Sequence, residues 1–298
     1  MARCVEIQLP RYEDAVVVVE APDVGPGNWA GAASAILVDG VFWLTYRLRR
    51  PVAAGRGVSV VVARSDDGVT FEPVCELNRE TFGAASFERP VLVALPGHGW
   101  RLYLSCATPG SKHWWIEAVD SDEVAGLPHG RRTMVLPGSA DTAVKDPVIR
   151  HDRDGWQMWV CCHPLTPVGE EDRMTTSYLT SDDGLSWRDH GTVLRGRPGG
   201  WDARGTRVVA VLTEDPLTVL YDGRATAEAN WFETTGLARL GSDGLQSDRD
   251  EPVAVSPHSD RALRYTSVVP LPDGRTRFYF EAARADGSHD LMTSISPS

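Results

Sequence analysis

The chain lacks what a membrane span, a disulfide framework or a thiolate metal site would require. No window of its 298 residues approaches the roughly 18 uninterrupted apolar residues of a membrane helix. The opening MARCVEIQLPRYED has neither the apolar core nor the small-residue cleavage site of a secretory signal, so a cytoplasmic location is expected. Five cysteines, Cys4, Cys75, Cys106, Cys161 and Cys162, are odd in number, scattered and without C-x-x-C spacing, which favours buried, reduced thiols. Positive charge is in deficit. The 30 Lys and Arg against 41 Asp and Glu give a formal charge of -11, the wrong balance for a surface that must neutralise the phosphates of a duplex. A small polar or cationic partner fits, with neither nucleic acid nor membrane expected. Long helical periodicity is missing, and so are a phosphate-cradling P-loop, a dinucleotide fingerprint and a Gly-x-Ser-x-Gly elbow.

What is present is a repeat. Apolar residues cluster in short runs rich in β-branched and aromatic side chains, bounded by Gly, Pro and Asp. Ser-Asp-Asp-Gly occurs at 65–68 and 181–184, each time followed by an aromatic, Phe71 or Trp187, three residues after the Gly. Half of that offset is the period of a second motif, the runs FWLTYR, RLYLSC, QMWVCC, LTVLYD and RFYFEA, whose fifth residues are Tyr46, Ser105, Cys161, Tyr221 and Glu281. The third unit shows the internal grammar: strand DPVIRH from Asp146, turn DRDG at 152–155, then strands WQMWVCC, TTSYLTS and, after SDDGLSW, GTVL. Four short antiparallel strands repeated five times predict an all-β fold, a five-bladed β-propeller filling one domain, 1–298. The blades are expected at about 28–80, 86–140, 143–196, 200–248 and 262–298. The segment Val16 to Glu20 is a candidate to close the ring against Leu291 to Ile295, and Thr226 to Leu237 could hold a short helix. The Ser-Asp-Asp-Gly turns, similar to the Asp-box hairpins of sialidases, are expected to fold the blade edge rather than to catalyse.

In such a blade the first strand lines a central channel and the second returns beside it, so first-strand starts and second-strand ends share one face. First-strand starts offer Asn28 and Trp29, Glu88 and Arg89, Lys145 and Asp146, Asp202 and Arg204, Arg264 and Tyr265. Second-strand ends offer Tyr46 and Arg47, His163, Asp222 and Arg224, Glu281 and Arg284.

The segments KDPVI (145–149), WDARGTRV (201–208), YDGR (221–224) and FEAARADGSHDL (280–291) resemble the five-bladed glycoside hydrolases of families 32, 43 and 130 and bacterial propellers related to them. The resemblance implies a glycosidase-type hydrolase acting on a small glycoside or modified sugar through paired carboxylates at the channel mouth. Families 32 and 43 use an Asp in blade one, an Asp in blade two and a Glu in blade three. Here blade one has Ala32, Ala33 and Ser34, blade two Glu88-Arg89-Pro90 and blade three Asp146-Pro147, so that triad does not carry over.

Glycoside cleavage needs one protonated and one ionised carboxyl group, held apart by their environments. The period offers Glu88, Asp146 and Asp202, with Glu281 beside them: Glu88 or Glu281 as acid, Asp146 or Asp202 as base. Arg89, Arg204, Arg207, Arg224 and Arg264 could grip a carboxylate or phosphate, as of a uronate, a sugar phosphate or a phosphorolytic cosubstrate. Lys145 and Asp222 join them as binding candidates. Trp29, Trp201, Trp231 and Tyr265 could stack on a sugar ring. His163 and His289 could exchange protons and lack metal-ligand spacing. No cofactor is expected; the family resemblance admits a channel calcium, for which no ligand motif is present. Two other readings stand beside the enzyme: a non-catalytic sugar- or metabolite-binding propeller, and a natural-product tailoring lyase or phosphorylase on the same scaffold.

Overall fold

A computed structural model describes residues 7–153, 155–247, 249–258 and 260–297. Cys4, Asp154 of the expected 152–155 turn and the expected blade limits at 248 and 298 lie outside the described residues. Twenty strands and three short 3-10 turns make up the regular structure among them. The helix expected within 226–237 is not formed: turns lead directly into the strand Thr234–Gly241. That strand finds its backbone partners along Leu217–Arg224 and buries Leu237 and Ala238, whereas the TAEAN stretch has no apolar face with which to hold a helix.

Three sheets are four-stranded and antiparallel, each in sequence order. They run from Phe87–Ala94 to Arg131–Leu136, from Thr142–Asp152 to Arg188–Leu194 and from Gly205–Glu214 to Gly244–Gln246. The fourth sheet is mixed and eight-stranded. It joins Trp29–Val38 and its three successors to Leu263–Pro270, Thr276–Ala283 and His289–Ile295 through one parallel bridge, Trp29 to His289. The expected closing strand is Val16–Val19, which adds to the outer edge of His289–Ile295 with Val16 opposite Thr293 and Val19 opposite Leu291. First strands of successive groups lie against one another, and Leu263–Pro270 returns to Trp29–Val38, so the innermost strands surround an axis as in a propeller. No helix among the described residues is long and apolar enough to cross a membrane.

Packing occurs at the seams between sheets. Between Trp29–Val38 with its successors and the next sheet, Val60, Val62, Phe87, Leu102 and Leu104 are wholly buried, each worth about 1.5–3 kcal/mol of apolar transfer. The Ser-Asp-Asp-Gly turns serve these seams. Asp67 Oδ1 accepts the Val69 and Thr70 N–H groups at 2.7 and 2.8 Å, and Asp183 does the same for Leu185 and Ser186. The Gly68 carbonyl then accepts the Tyr279 hydroxyl from the other half of the eight-stranded sheet at 2.8 Å, and the Gly184 carbonyl accepts the Tyr103 hydroxyl of a neighbouring sheet at 2.7 Å.

Strand register corrects the phase of the repeat. The partners across the first two strands are Gly31 and Arg47, Glu88 and Ser105, Lys145 and Cys161, Arg207 and Asp222, Arg264 and Glu281. Arg47 and Asp222, not Tyr46 and Tyr221, are therefore the counterparts of Ser105, Cys161 and Glu281. A one-residue step moves a side chain to the other face of a strand, and Tyr46 and Tyr221 accordingly pack in apolar clusters.

Candidate active site

Each first strand carries a bulge just after its start, seen as register shifts at Gly31/Ser34, Glu88/Val91, Lys145/Val148, Val208/Ala210 and Arg264/Ser267. A bulge leaves one residue unpaired and re-aims its side chain. Asp146 and Tyr265 occupy bulges with φ of 53° each, a left-handed conformation that non-glycine residues rarely adopt. This local strain is repaid by their contacts at the axis, the usual context in which such conformations persist.

The Tyr265 hydroxyl lies 3.3 Å from Glu88 Oε2, 3.4 Å from Asp146 Oδ2 and 3.0 Å from Arg207 NH1, which donates to it. Both carboxylates thus meet one hydroxyl, which limits the separation of those two oxygens to about 6.7 Å. That bound admits the roughly 5–5.5 Å spacing of retaining glycosidases and reaches the short end of the inverting range. Arg47 Nε donates to Glu88 at 2.6 Å; Lys145 Nζ and Arg207 NH1 lie 3.1 and 2.8 Å from Asp146 Oδ2. Burial alone would raise the Glu88 carboxyl, but Arg47, Lys145, Arg49 and Arg56 outweigh it and hold the group well below the usual carboxylate range. Burial likewise opposes ionisation of Asp146, and Lys145 and Arg207 overcome it. Burial pushes the Tyr265 hydroxyl well above its ordinary value, so it remains a proton donor.

A second tier of ion pairs braces this centre. Arg207 donates from NH2 to Asp222 at 2.6 Å, and Asp222 also accepts the Tyr265 N–H at 3.0 Å. Burial pushes Asp222 up to about 6. Glu233 is gripped by Arg224 and Arg264 at 2.6 Å each. Glu281 is sealed from solvent by Arg264 at 2.7 Å, His289 Nδ1 at 2.9 Å, Arg47 at 3.4 Å and the Ala32 N–H at 3.2 Å.

Above this network opens a pocket of about 250 Å³. Small-molecule sites usually have about 300–1,000 Å³, so its occupant is limited to roughly one sugar unit. Of the residues expected from sequence, Glu88, Lys145, His163, Arg224, Arg264 and Tyr265 line it, with Arg207 and Trp231. Trp231 is 37% exposed and adopts a φ of 80°. His163 Nδ1 lies 2.7 Å from the Glu171 carbonyl, which fixes that nitrogen as the donor and leaves Nε2 as a lone pair. Burial, with Lys145 nearby, lowers His163 to about 3, so the ring is neutral at pH 7.

Other expected residues are placed elsewhere. Asp202 lies ahead of its strand, which starts at Gly205, and its carboxylate accepts the Tyr221 hydroxyl at 2.8 Å and Arg197 Nε at 3.1 Å, away from the axis. The repeat position of Lys145 and Arg264 belongs in that sheet to Arg207, five residues further on. Trp201 stacks on Tyr221 at 5.5 Å and packs over Gly223 and Gly236. Arg204 clamps Asp172 with two bonds of 2.6 Å from behind the pocket wall. Trp29 is buried, stacked on His289 at 4.5 Å with the Arg49 guanidinium 3.9 Å from the centre of its ring, and meets no sugar-sized space. Glu281, Asp222 and Asp146 are held within the ion network and do not line the pocket, Asp146 lying behind the Tyr265 hydroxyl, and Arg89 lines the opposite end of the channel.

Sequence reasoning missed Glu233, Arg56 and Trp114, all of which line the pocket. The available signal was the antiparallel order itself. A third strand runs the same way as the first, so its start reaches the same mouth, and these residues stand at or beside the starts of Thr234–Gly241, Gly57–Ser65 and Trp114–Ser121. The axial acids are taken by guanidinium and ammonium groups, and among the described residues no group of three or more His, Cys, Asp or Glu could hold a metal ion.

No protein-family model matches the chain, and no curated protein matches it. Solved structures do. A β-1,2-mannobiose phosphorylase from Listeria innocua, in complex with β-1,2-mannobiose, is similar at 16% identity and a TM-score of 0.63, covering 97% of this chain and 93% of that one. A thermostable family-43 glycoside hydrolase is similar at 15% identity and a TM-score of 0.64, covering 92% and 91%. Another glycoside hydrolase reaches a TM-score of 0.73 at 10% identity, covering 98% and 93%. The glycoside hydrolase-like propeller resemblance read from the sequence is therefore matched in three dimensions. At these identities the likeness establishes the fold.

Proposed function

We propose that this chain is a carbohydrate-active enzyme of the glycoside-cleaving kind, built as one five-bladed propeller, with Glu88 and Asp146 as its paired carboxylates. The eight-stranded sheet counts as two blades because a single bridge joins its halves. The observation that carries the functional reading is the meeting of both carboxylates at the Tyr265 hydroxyl beneath a pocket of single-sugar size. The named activities of the structural neighbours, a mannobiose phosphorylase and a family-43 hydrolase, support it.

In this reading a sugar stacks beside Trp231 while its hydroxyls engage Lys145 and Arg224. Drawing Lys145 onto the ligand weakens a cation that depresses both carboxylates, Asp146 keeping Arg207 at 2.8 Å, while the ligand also excludes water from Glu88, which lines the pocket. Both changes raise its proton affinity toward that of a general acid. Asp146, bonded to Arg207, stays ionised as the base. Tyr265 passes a hydrogen bond between them. The test is release of sugar from a panel of small glycosides, with and without phosphate, by wild type, Glu88→Gln and Asp146→Asn. Loss of about 100-fold or more in each variant is expected; full turnover in either removes that carboxylate from the chemistry.

A second reading, a sugar-binding propeller without catalysis, is favoured by one observation: Arg47 lies 2.6 Å from Glu88, and Lys145 and Arg207 lie 3.1 and 2.8 Å from Asp146, cations that favour the ionised form of both carboxylates. Saturable binding of a glycoside that is never consumed would establish it.

A further inference from the structure

The cations at the centre of the site are matched one for one by acids. Arg47 pairs with Glu88, Lys145 with Asp146, Arg207 with Asp222, Arg224 with Glu233 and Arg264 with Glu281, five cations for five carboxylates. In the wall behind them Arg204 balances Asp172. Of the charged side chains that line the 250 Å³ pocket, only Arg56, Lys112 and Glu171 are left over. Glu171 turns its Oε2 onto the Gly169 N–H at 3.1 Å. Two cations therefore stand at the pocket for one acid, a surplus of one positive charge in a chain whose formal charge is -11.

Among the described residues neither Arg56 nor Lys112 makes an ion pair. Lys112 is exposed and Arg56 half-buried. Of the Arg56 guanidinium nitrogens only Nε is sealed from solvent; NH1 and NH2 are neither sealed nor hydrogen-bonded among the described residues, which leaves them open to a ligand. The guanidinium stands 5.5 Å from the centre of the Trp114 ring, and Lys145 Nζ stands 5.0 Å from the same centre. Arg56 is thus placed beside the cation that the sugar is proposed to engage. An open guanidinium fork matches a carboxylate with two parallel hydrogen bonds, and a lysine adds a point charge. A surplus of one answers to a single negative charge. A pocket of single-sugar size does not take a sugar and a separate anion together, so that charge belongs on the sugar itself.

We infer that the ligand of this pocket is a uronic acid, its carboxylate held by Arg56 and Lys112 while its ring lies beside Trp231 over Glu88. The inference rests on the reading of the pocket as a sugar site, and it is tested by binding rather than by turnover. The test is calorimetric titration with the α and β methyl glycosides of glucuronic, galacturonic and mannuronic acid, with those of the neutral parents glucose, galactose and mannose, and with inorganic phosphate and glucose 6-phosphate. The proteins are wild type, Arg56→Gln, Lys112→Gln and Arg150→Gln, the last removing a cation that pairs with Glu214 at the far mouth. Saturable binding of at least one uronate, about tenfold or more tighter than its neutral parent, is expected. It should weaken about tenfold or more in Arg56→Gln and about threefold or more in Lys112→Gln, and stay unchanged in Arg150→Gln. Lys112→Gln alters an exposed side chain, so it decides the matter even if Arg56→Gln does not fold. No saturable uronate binding, equal affinity for the neutral parent, tighter binding of phosphate or glucose 6-phosphate than of any uronate, or full affinity in Lys112→Gln would overturn the inference, even where neutral glycosides are cleaved. A uronate bound as expected, whose methyl glycoside is never cleaved, would uphold it and count against the catalytic reading instead.

Discussion

Asp202 and Asp146 are both buried acids next to an arginine, and only their neighbours tell them apart. Asp202 is bonded to the Tyr221 hydroxyl and Arg197 beside the sheet, so Asp202→Asn should cost about 1–3 kcal/mol of stability while the folded fraction keeps its turnover. Thermal melting together with activity per folded molecule checks this, and a collapse of activity without destabilisation would return Asp202 to the chemistry. His163 gives a pH test. Its folded value of about 3 lies below the ordinary 6.5, so the unfolded chain takes up a proton first, and the stability it contributes is complete above pH 6.5 and lost as pH falls toward 3. Glu88, Asp146, Glu233 and Glu281, all depressed, act in the same sense at lower pH, below the ordinary carboxylate range. Asp222, raised by burial, acts in the opposite sense below about 6. The clean readout is therefore the difference between His163→Gln and wild type in denaturant melts, which should open in the variant's favour below pH 6.5; identical curves would show that His163 is not held neutral. Glu88, Lys145, Arg264 and Tyr265 were legible in sequence because each stands at a strand start flanked by strong turn signals. Asp202 misled because the RGRPGGWDARG stretch contains an acid before the strand begins, and spacing alone does not show where pairing starts.

At the level of elements, the strands and the closing role of Val16–Val19 could be read from hydrophobic runs and turns, since both rest on local pattern. The bulges could not, because an extra residue in a strand has no compositional mark except where Pro90 and Pro147 follow it. The one-residue slip at Tyr46 and Tyr221 is separate: it lies on the second strands, where similar apolar runs do not reveal which residue faces the partner strand. The same pattern shows what the first blade has become. Gly31 occupies the position of Glu88, Lys145, Arg207 and Arg264, and a Cβ there would overlap the Glu281 carboxylate. Gly31→Ala should therefore disturb the brace of Arg47, Arg264 and His289 and cost about 1–3 kcal/mol, read as a lowered melting temperature. An unchanged melt would mean that Glu281 has room to withdraw and is not locked in the network.

For the molecule as a whole, rotation about the axis converts residues almost 180 positions apart, Glu88 and Tyr265, into hydrogen-bonded neighbours. Sequence periodicity anticipated that convergence, but it could not show how many of the gathered charges would neutralise one another. Most of them do: Glu233 and Glu281 brace the ring, and Glu88 and Asp146, themselves paired with Arg47 and with Lys145 and Arg207, sit at the centre, with Glu88 facing the pocket. The most direct measurement is product formation over long incubation of wild type, Glu88→Gln and Asp146→Asn with small glycosides. Release of sugar by wild type, reduced by about 100-fold or more in both variants, is the expected result. Sugar bound but never released, or released equally by all three proteins, would contradict it.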